Sequence, residues 1–285
     1  MPVHDPNSVA TALRDLREEV GADAVTYVEA ALDAVASPSR PGLAGPDPAP
    51  DLTAEAIADL IDHTQLRPAA TDAQIDQCCE EAEQYAFTSV CVHPTFVPRV
   101  ARYLEGTGVT PCTVVGFPHG ANRTRTKAQE AERAVADGAR ELDMVLALGA
   151  VSSGRYSDAE ADVRAVVTAA RDAGEAVGDP VPVKVILETA LLSPAQIAVA
   201  SVIARRAGAD FVKTSTGFAA SGARAEDVAL MREVVGPDLG VKASGGVGSV
   251  DDVRRMVAHG ATRIGASGSV AIVEERRGTA GAEDA

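Results

Sequence analysis

The chain has 285 residues, 46% hydrophobic and 24% charged, enough to bury a large core as one big domain or two small ones. Its net charge of −15 repels phosphate backbones and argues against a nucleic-acid partner. No apolar run approaches the roughly 18 residues of a membrane span. The acidic N-terminus "MPVHDPNSVATALRDLREEV" lacks the apolar stretch of a secretory signal, so no membrane partner and a cytoplasmic location are expected.

The first elements read as helices. Leu13, Leu16 and Val20 fall at helical spacing, as do Val25, Val28, Leu32 and Val35, with a break or weak point at Gly21. Residues 1–36 are therefore expected to form an N-terminal helical extension. Residues 37–51, "SPSRPGLAGPDPAPD", carry five prolines and read as an extended linker. A main domain is expected over 52–277 and an acidic, frayed tail over 278–285.

Within the main domain the pattern alternates. The strand-like runs are "IDHTQL", "SVCVH", "CTVVGF", "ELDMVLAL", "VKVILET", "DFVKTS", "GVKASG" and "TRIGAS". Helical patterns follow them, at about 72–84, 95–104, 125–138, 157–177, 193–208, 224–235, 249–259 and 268–275. A further short helix is expected near 53–61. Alternation of this kind implies a parallel sheet, and about eight βα units have the size of a (β/α)8 TIM barrel. The competing open doubly wound sheet normally carries a Gly-rich nucleotide turn, and the chain has neither GxGxxG nor a P-loop.

Catalytic groups of such barrels sit at the C-terminal ends of strands. Those positions hold Asp62, His63 and Thr64, then Cys91, Asp143, Glu188, Lys213, Lys242 and Ser267. The strand period of two places Lys213 with Phe211 and Ser215, Lys242 with Gly240 and Ser244, Asp143 with Glu141, and Lys184 with Glu188. The four cysteines form no CxxC pair, and His63 and His93 do not complete a zinc spacing with them, so no metal and reduced thiols are expected.

The lysines are informative because the chain has only four, Lys127, Lys184, Lys213 and Lys242, against 22 arginines. Three of the four lie inside strand runs whose neighbours demand burial. An inert buried ion network is one reading, but buried pairs stabilise less than apolar packing, and arginine is the usual structural partner. Lysine alone offers a neutral amine that attacks a carbonyl carbon and forms an imine. Burial and a second nearby cation both favour that neutral form. Lys213 and Lys242 on neighbouring strands, with Asp143 to move protons, suit aldol chemistry through an imine and enamine. Lys184 is expected deeper in the barrel beside Glu141 or Glu188 as a supporting charge, and Lys127 on a helix surface.

An anion site is also legible. "ASGGVGS" (243–249) and "GASGS" (265–269) each end a strand and open a helix, presenting backbone N–H groups. They fall after the seventh and eighth strands, where barrels commonly bind phosphate. A sugar phosphate is the expected ligand.

The motifs "IDHTQL", "SVCVHPTFV", "VVGFPHG", "GARELDMVLALGA", "VKVILET", "GADFVKTSTGF", "GVKASGGV" and "RIGASGS" together resemble those of the deoxyribose-phosphate aldolases, class I aldolases on the (β/α)8 barrel. The match runs from about Leu52 to Val273. The resemblance implies reversible cleavage of 2-deoxy-D-ribose 5-phosphate to acetaldehyde and D-glyceraldehyde 3-phosphate, with no metal and no organic cofactor. It implies Lys213 as the imine-forming residue, Lys242 as the second catalytic lysine and Asp143 as the proton-relay acid. It further implies phosphate contacts at Gly217, Gly245, Gly246, Ser267 and Gly268, with Thr64 and Cys91 near the substrate, and a homo-oligomer. The chain departs from the family pattern at Ala147, where many members carry Asn, and at Gly248, where Arg is common. The tail also lacks the terminal tyrosine of some members. Another imine-forming sugar-phosphate aldolase, a sugar-phosphate sensor without turnover, and a structural barrel displaying the N-terminal helices are the competing readings.

Overall fold

The computed structural model describes residues 6–19, 21–36 and 51–283. Two helices come first, α1 (Pro6–Glu19) and α2 (Ala22–Ala36), broken at Gly21. Their apolar stripes, with Leu13, Val28 and Ala31 wholly buried, belong to the same core as the barrel helices. Tyr27 of α2 meets Tyr156 edge-on at 6.1 Å and lies under the Arg206 guanidinium at 4.8 Å. The proline-rich stretch placed at 37–51 lies outside the described residues except for Asp51.

From residue 54 onward, strands and helices alternate. The strands are β1 (Ile61–Gln65), β2 (Ser89–Val92), β3 (Thr110–Val115), β4 (Glu141–Val145), β5 (Val183–Ile186), β6 (Phe211–Lys213), β7 (Gly240–Ser244) and β8 (Arg263–Ala266). They pair in parallel, each with the next, and β8 returns to β1 to close the barrel. A short α3 (Ala54–Ala58) precedes β1. The outer helices are α4 (Asp72–Tyr85), α5 (Val97–Tyr103), α6 (Thr124–Ala136), α7 (Leu148–Ser152), α8 (Tyr156–Val177), α9 (Pro194–Ala207), α10 (Ala225–Val235), α11 (Val250–Ala258) and α12 (Ser269–Glu283). The expected (β/α)8 barrel is the observed architecture.

Local chemistry sets the element ends. Thr71 with Gln74 and Ser193 with Gln196 form reciprocal capping boxes at α4 and α9, each satisfying backbone donors that a helix start leaves open. Two boundaries differ from the sequence reading. The run "ELDMVLAL" divides, because β4 ends at Val145 and Leu148 opens α7. Helix α12 continues past Arg277 to Glu283, into the segment read as an acidic tail.

The strands are buried on both faces, as parallel strands under helices are. Their outward side chains, such as Leu142, Met144, Val212, Val241 and Ala243, join the core against the helices. The inward side chains are unusual for a barrel, whose interior is normally filled by branched apolar residues. Here the interior holds a small apolar cluster of Leu66, Cys91, Cys112 and Val114 and, beside it, a set of buried charges.

Candidate active site

The register of the barrel assembles those charges. Lys213 of β6 is level with Lys242 of β7, and Asp143 of β4 is level with Lys184 of β5. Asp143 is the hub. Its Oδ2 accepts from Lys213 Nζ at 2.6 Å and from Lys242 Nζ at 2.7 Å, and its Oδ1 accepts from Lys184 Nζ at 3.0 Å. Asp62 of β1 anchors Lys242 from the other side and takes Arg263 Nη1 at 2.6 Å. Glu141, one turn of the strand pleat below Asp143, holds Lys184 and Arg263. The ring is complete only because β1 meets β8, which carries Arg263.

The charge states follow from this packing. Burial alone would raise the Asp143 carboxyl, but Lys184, Lys213 and Lys242 outweigh it and hold it well below the usual carboxylate range. Asp62 behaves the same way: burial opposes ionisation, and Lys242, Lys184 and Arg263 overcome it. Burial disfavours charge on Lys242 and Lys184 too. Asp143 and Asp62 nevertheless raise Lys242, and Asp143, Cys112, Asp62 and Glu141 raise Lys184, so both stay ammonium groups. Gly265 of β8 leaves room for Lys242, since a Cβ there would stand 3.0 Å from its Cε.

Above the cluster a cavity of about 610 Å³ opens at the C-terminal end of the barrel. Lys213 is the only one of the cluster's lysines that lines it. Thr64, Gly217, Gly245, Gly246 and Ser267 line it as well, so five of the sequence-selected substrate residues are brought together with the amine. Gly245 and Gly246 take φ of +81° and +75°, a left-handed pair that glycine adopts without a Cβ clash. The loop then enters α11, while the Ser267–Gly268 loop enters α12.

Two selected residues lie elsewhere. Cys91 is wholly buried in the apolar cluster, where its thiol pairs with that of Cys112, and Cys112 in turn faces Asp143 Oδ1 at 3.5 Å. Gly268, the next residue after Ser267, is exposed and does not line the cavity.

Lys184 does sit deep in the barrel, and its partner is Glu141 rather than Glu188. The alternation that put Lys184 and Glu188 on one face stops at Ile186, and Glu188 adopts a left-handed conformation (φ 52°, ψ 62°). Its buried carboxylate instead accepts from the Thr216 hydroxyl and backbone N–H, under the loop that follows β6. Lys127, read as a surface residue, is fully buried. It binds Asp162 Oδ2 at 2.6 Å and the Val145 carbonyl at 2.9 Å.

In the sequence Asp62 and His63 are strand-end polar residues with no evident work. Asp62 completes the charge ring. His63 lines the cavity wall with Nε2 on Glu81 Oε2 at 2.8 Å and Nδ1 on Ser269 Oγ at 3.0 Å. Thr216 and Ser244 are further lining residues, whose signal was only the hydroxyl-rich turn "TSTG" and the end of "VKAS". Cys91, Cys112 and Asp143 also bring three possible ligand atoms within 4.8 Å of one another. The Lys184 and Lys242 ammonium groups beside Asp143 make that place poorly suited to a cation, because like charges disfavour one another in a buried site.

The arrangement can form an imine at Lys213 and pass protons through a carboxylate shared with a second ammonium. Comparisons with known proteins agree with this chemistry. The DeoC/LacD family aldolase profile matches residues 56–272. Deoxyribose-phosphate aldolase 2 of Bacillus licheniformis is 53% identical over 222 residues, which is 78% of this chain and 96% of that protein. A Coccidioides immitis structure described as a candidate deoxyribose-phosphate aldolase superposes with a TM-score of 0.77 at 39% identity, covering 96% of this chain and 98% of the other. The deoxyribose-phosphate aldolase of Aeropyrum pernix, described as a tetramer, gives 0.73 at 31% identity, covering 91% and 99%.

Proposed function

The chain belongs to the DeoC/LacD family of aldolases, and from that premise we propose that it cleaves 2-deoxy-D-ribose 5-phosphate reversibly to acetaldehyde and D-glyceraldehyde 3-phosphate. The observation that carries the reading is Asp143 Oδ2 shared between Lys213 and Lys242 beneath a cavity that only Lys213 of these lysines reaches.

Charge counting supports Lys213 as the nucleophile. Asp62, Glu141 and Asp143 are three carboxylates. Lys184, Lys213, Lys242 and Arg263 are four basic groups in contact with them. The cluster balances when one amine is neutral, and Lys213 is the amine that faces the cavity. Its lone pair adds to the C1 aldehyde of the open-chain sugar, and loss of water gives the protonated imine. Removal of the C3 hydroxyl proton lets the C2–C3 bond break. The electron pair moves into the imine, so D-glyceraldehyde 3-phosphate leaves and an enamine remains. Protonation at C2 and hydrolysis release acetaldehyde and restore Lys213. Asp143 and the Lys242 ammonium stand where they can exchange those protons by hydrogen-bonded transfer. The glycine loops leading into α11 and α12 offer N–H groups to the phosphate.

Four free, buried cysteines fit a reducing cytoplasm, and a homo-oligomer is part of the same reading, in line with the tetrameric Aeropyrum pernix relative. No helix among the described residues is long and apolar enough to cross a membrane.

Borohydride trapping tests the reaction. Protein incubated with 2-deoxyribose 5-phosphate and then reduced should carry a mass adduct on the Lys213 peptide, absent from Lys213→Ala. Unmodified lysines with intact substrate would sink the aldolase reading. A product spectrum without acetaldehyde would favour another imine-forming aldolase.

A further inference from the structure

The phosphate cradle presents a charge problem. A phosphate monoester carries about −1.5 to −2 charge near neutral pH. The loops around it supply no cationic side chain: Thr216–Gly217–Phe218 after β6, 244–249 (Ser-Gly-Gly-Val-Gly-Ser) after β7, and 266–269 (Ala-Ser-Gly-Ser) after β8. Two helix N-termini contribute about half a unit charge each. The protein as a whole is −15, so its long-range field opposes an incoming dianion.

We propose that Arg67, on the loop after β1, supplies the missing cation and thereby sets the preference for phosphorylated over neutral sugars. This inference rests on the function proposed above. Arg67 lines the same cavity as Gly217, Gly245, Gly246 and Ser267. Barrel closure explains why: β1 pairs with β8, so the loop after β1 is the neighbour of the Ser267 loop. Apart from Lys213, Arg67 is the only cation among the described residues that line that wall. Lys213 sits at depth on Asp143, committed to the carbonyl end of the substrate.

The local backbone holds Arg67 in place while leaving its head group free. The Arg67 N–H donates to Gln65 Oε1 at 3.2 Å, and its carbonyl accepts from Ala70 N–H at 3.0 Å. Pro68 follows and restricts the turn. The side chain itself is exposed, and among the described residues its guanidinium has no hydrogen-bond or ion-pair partner. The remaining polar side chains on this wall do not compete for it. Gln74 and Gln77 are neutral, and the one carboxylate, Glu81, is taken by His63 and by Gln77 Nε2 at 2.9 Å. A free, planar fork with five donors suits bidentate capture of phosphate oxygens.

The test compares 2-deoxyribose 5-phosphate with unphosphorylated 2-deoxyribose as substrates for the wild type, Arg67→Ala and Arg67→Lys. Loss of one charge-assisted contact corresponds to roughly 10- to 100-fold. Arg67→Ala should therefore lower kcat/KM for the phosphorylated sugar by about that factor, through KM, with kcat little changed. Activity on the neutral sugar should stay within about twofold, and Arg67→Lys should recover part of the loss. Inhibition of the neutral-sugar reaction by inorganic phosphate should weaken in Arg67→Ala by a similar factor. An unchanged KM for the phosphorylated sugar, or an equal loss on both sugars, would overturn the assignment while leaving the aldolase intact. Wild-type protein that cleaves neither sugar would overturn the function and the role of Arg67 with it.

Discussion

Lys213 and Lys242 are cross-strand partners on β6 and β7, and both side-chain nitrogens converge on one oxygen, Asp143 Oδ2, at 2.6 and 2.7 Å. Two amines sharing one carboxylate oxygen cannot have the same job. Lys242 is wholly enclosed and held charged by Asp143 and Asp62, so it serves as a cation and proton donor, whereas Lys213 opens onto the cavity. Lys213→Arg should abolish both turnover and the borohydride adduct, because a guanidinium does not form the imine. Lys242→Met and Asp143→Asn should lower kcat by about 10²–10⁴-fold, the range for loss of a positioned proton donor or acceptor, while still allowing slow adduct formation at Lys213. An adduct that survives Lys213→Arg would place the nucleophile elsewhere.

Glu188 provides a separate test of how the loop after β6 is held. Its buried carboxylate is the acceptor for both the N–H and the hydroxyl of Thr216, and Thr216 Oγ1 accepts from Phe218 N–H at 3.1 Å. Glu188→Ala leaves those donors unsatisfied, a cost of about 1–3 kcal/mol, and loosens the Gly217 wall of the cavity. KM for the phosphorylated sugar should rise and the melting temperature should fall. Glu188→Gln keeps an acceptor oxygen and should restore most of both. Equal behaviour of the two variants would show that the negative charge, and not the acceptor, matters.

The Lys127–Asp162 pair joins α6 to α8 behind the site, both side chains being buried. Removing one member strands the other charge, which costs about 3–5 kcal/mol. Lys127→Met should therefore lower the melting temperature by about 10 °C, at roughly 2–4 °C per kcal/mol for a chain of this size. Replacing the pair together, Lys127→Met with Asp162→Leu, should recover most of that loss, since an apolar pair of similar volume packs without the desolvation cost. Differential scanning calorimetry of the two variants checks both expectations.

These cases show what a sequence carries and what it withholds. The eight strands and the positions of Lys213, Lys242 and Asp143 were legible because strand alternation is local and the scarcity of lysine set those three apart. The role of Asp62 was not, because it depends on β1 closing onto β8 beside Arg263, a contact between residues about 200 positions apart. Lys127 reads as a polar helix residue in "TRTKAQEAERAV", and only the packing of α6 on α8 buries it. The position of Glu188 is not legible from the period of two, because the chain leaves the strand after Ile186 and turns left-handed at Glu188. Cys91 was placed correctly on its strand, yet its depth beside Cys112 is set by the neighbouring strand's register. Arg67 lay outside every motif used, since a loop residue announces itself only through the cavity it faces.

His63 gives the protein a predictable acid sensitivity. Burial lowers its pKa, and Glu81 offsets that only in part. In the neutral ring Nε2–H donates to Glu81, while Nδ1 faces Ser269 Oγ at 3.0 Å at the start of α12. The unfolded chain takes up this proton near pH 6.5, and the folded chain only at lower pH. Above about pH 6.5 both states are neutral at this residue and the contribution to stability is fully present. As the pH falls from there through the folded value, the unfolded state binds more protons and stability is lost, at a limiting slope of about 1.4 kcal/mol per pH unit. Asp62 and Asp143, held well below the usual carboxylate range, lose their contribution only below about pH 3.9, so the difference between the wild type and a His63 variant from pH 6.5 down to about 4.5 reports the histidine. Urea unfolding of the wild type and His63→Gln across that window should show a steeper loss in the wild type. Parallel pH dependences would mean that His63 does not stay neutral in the folded protein.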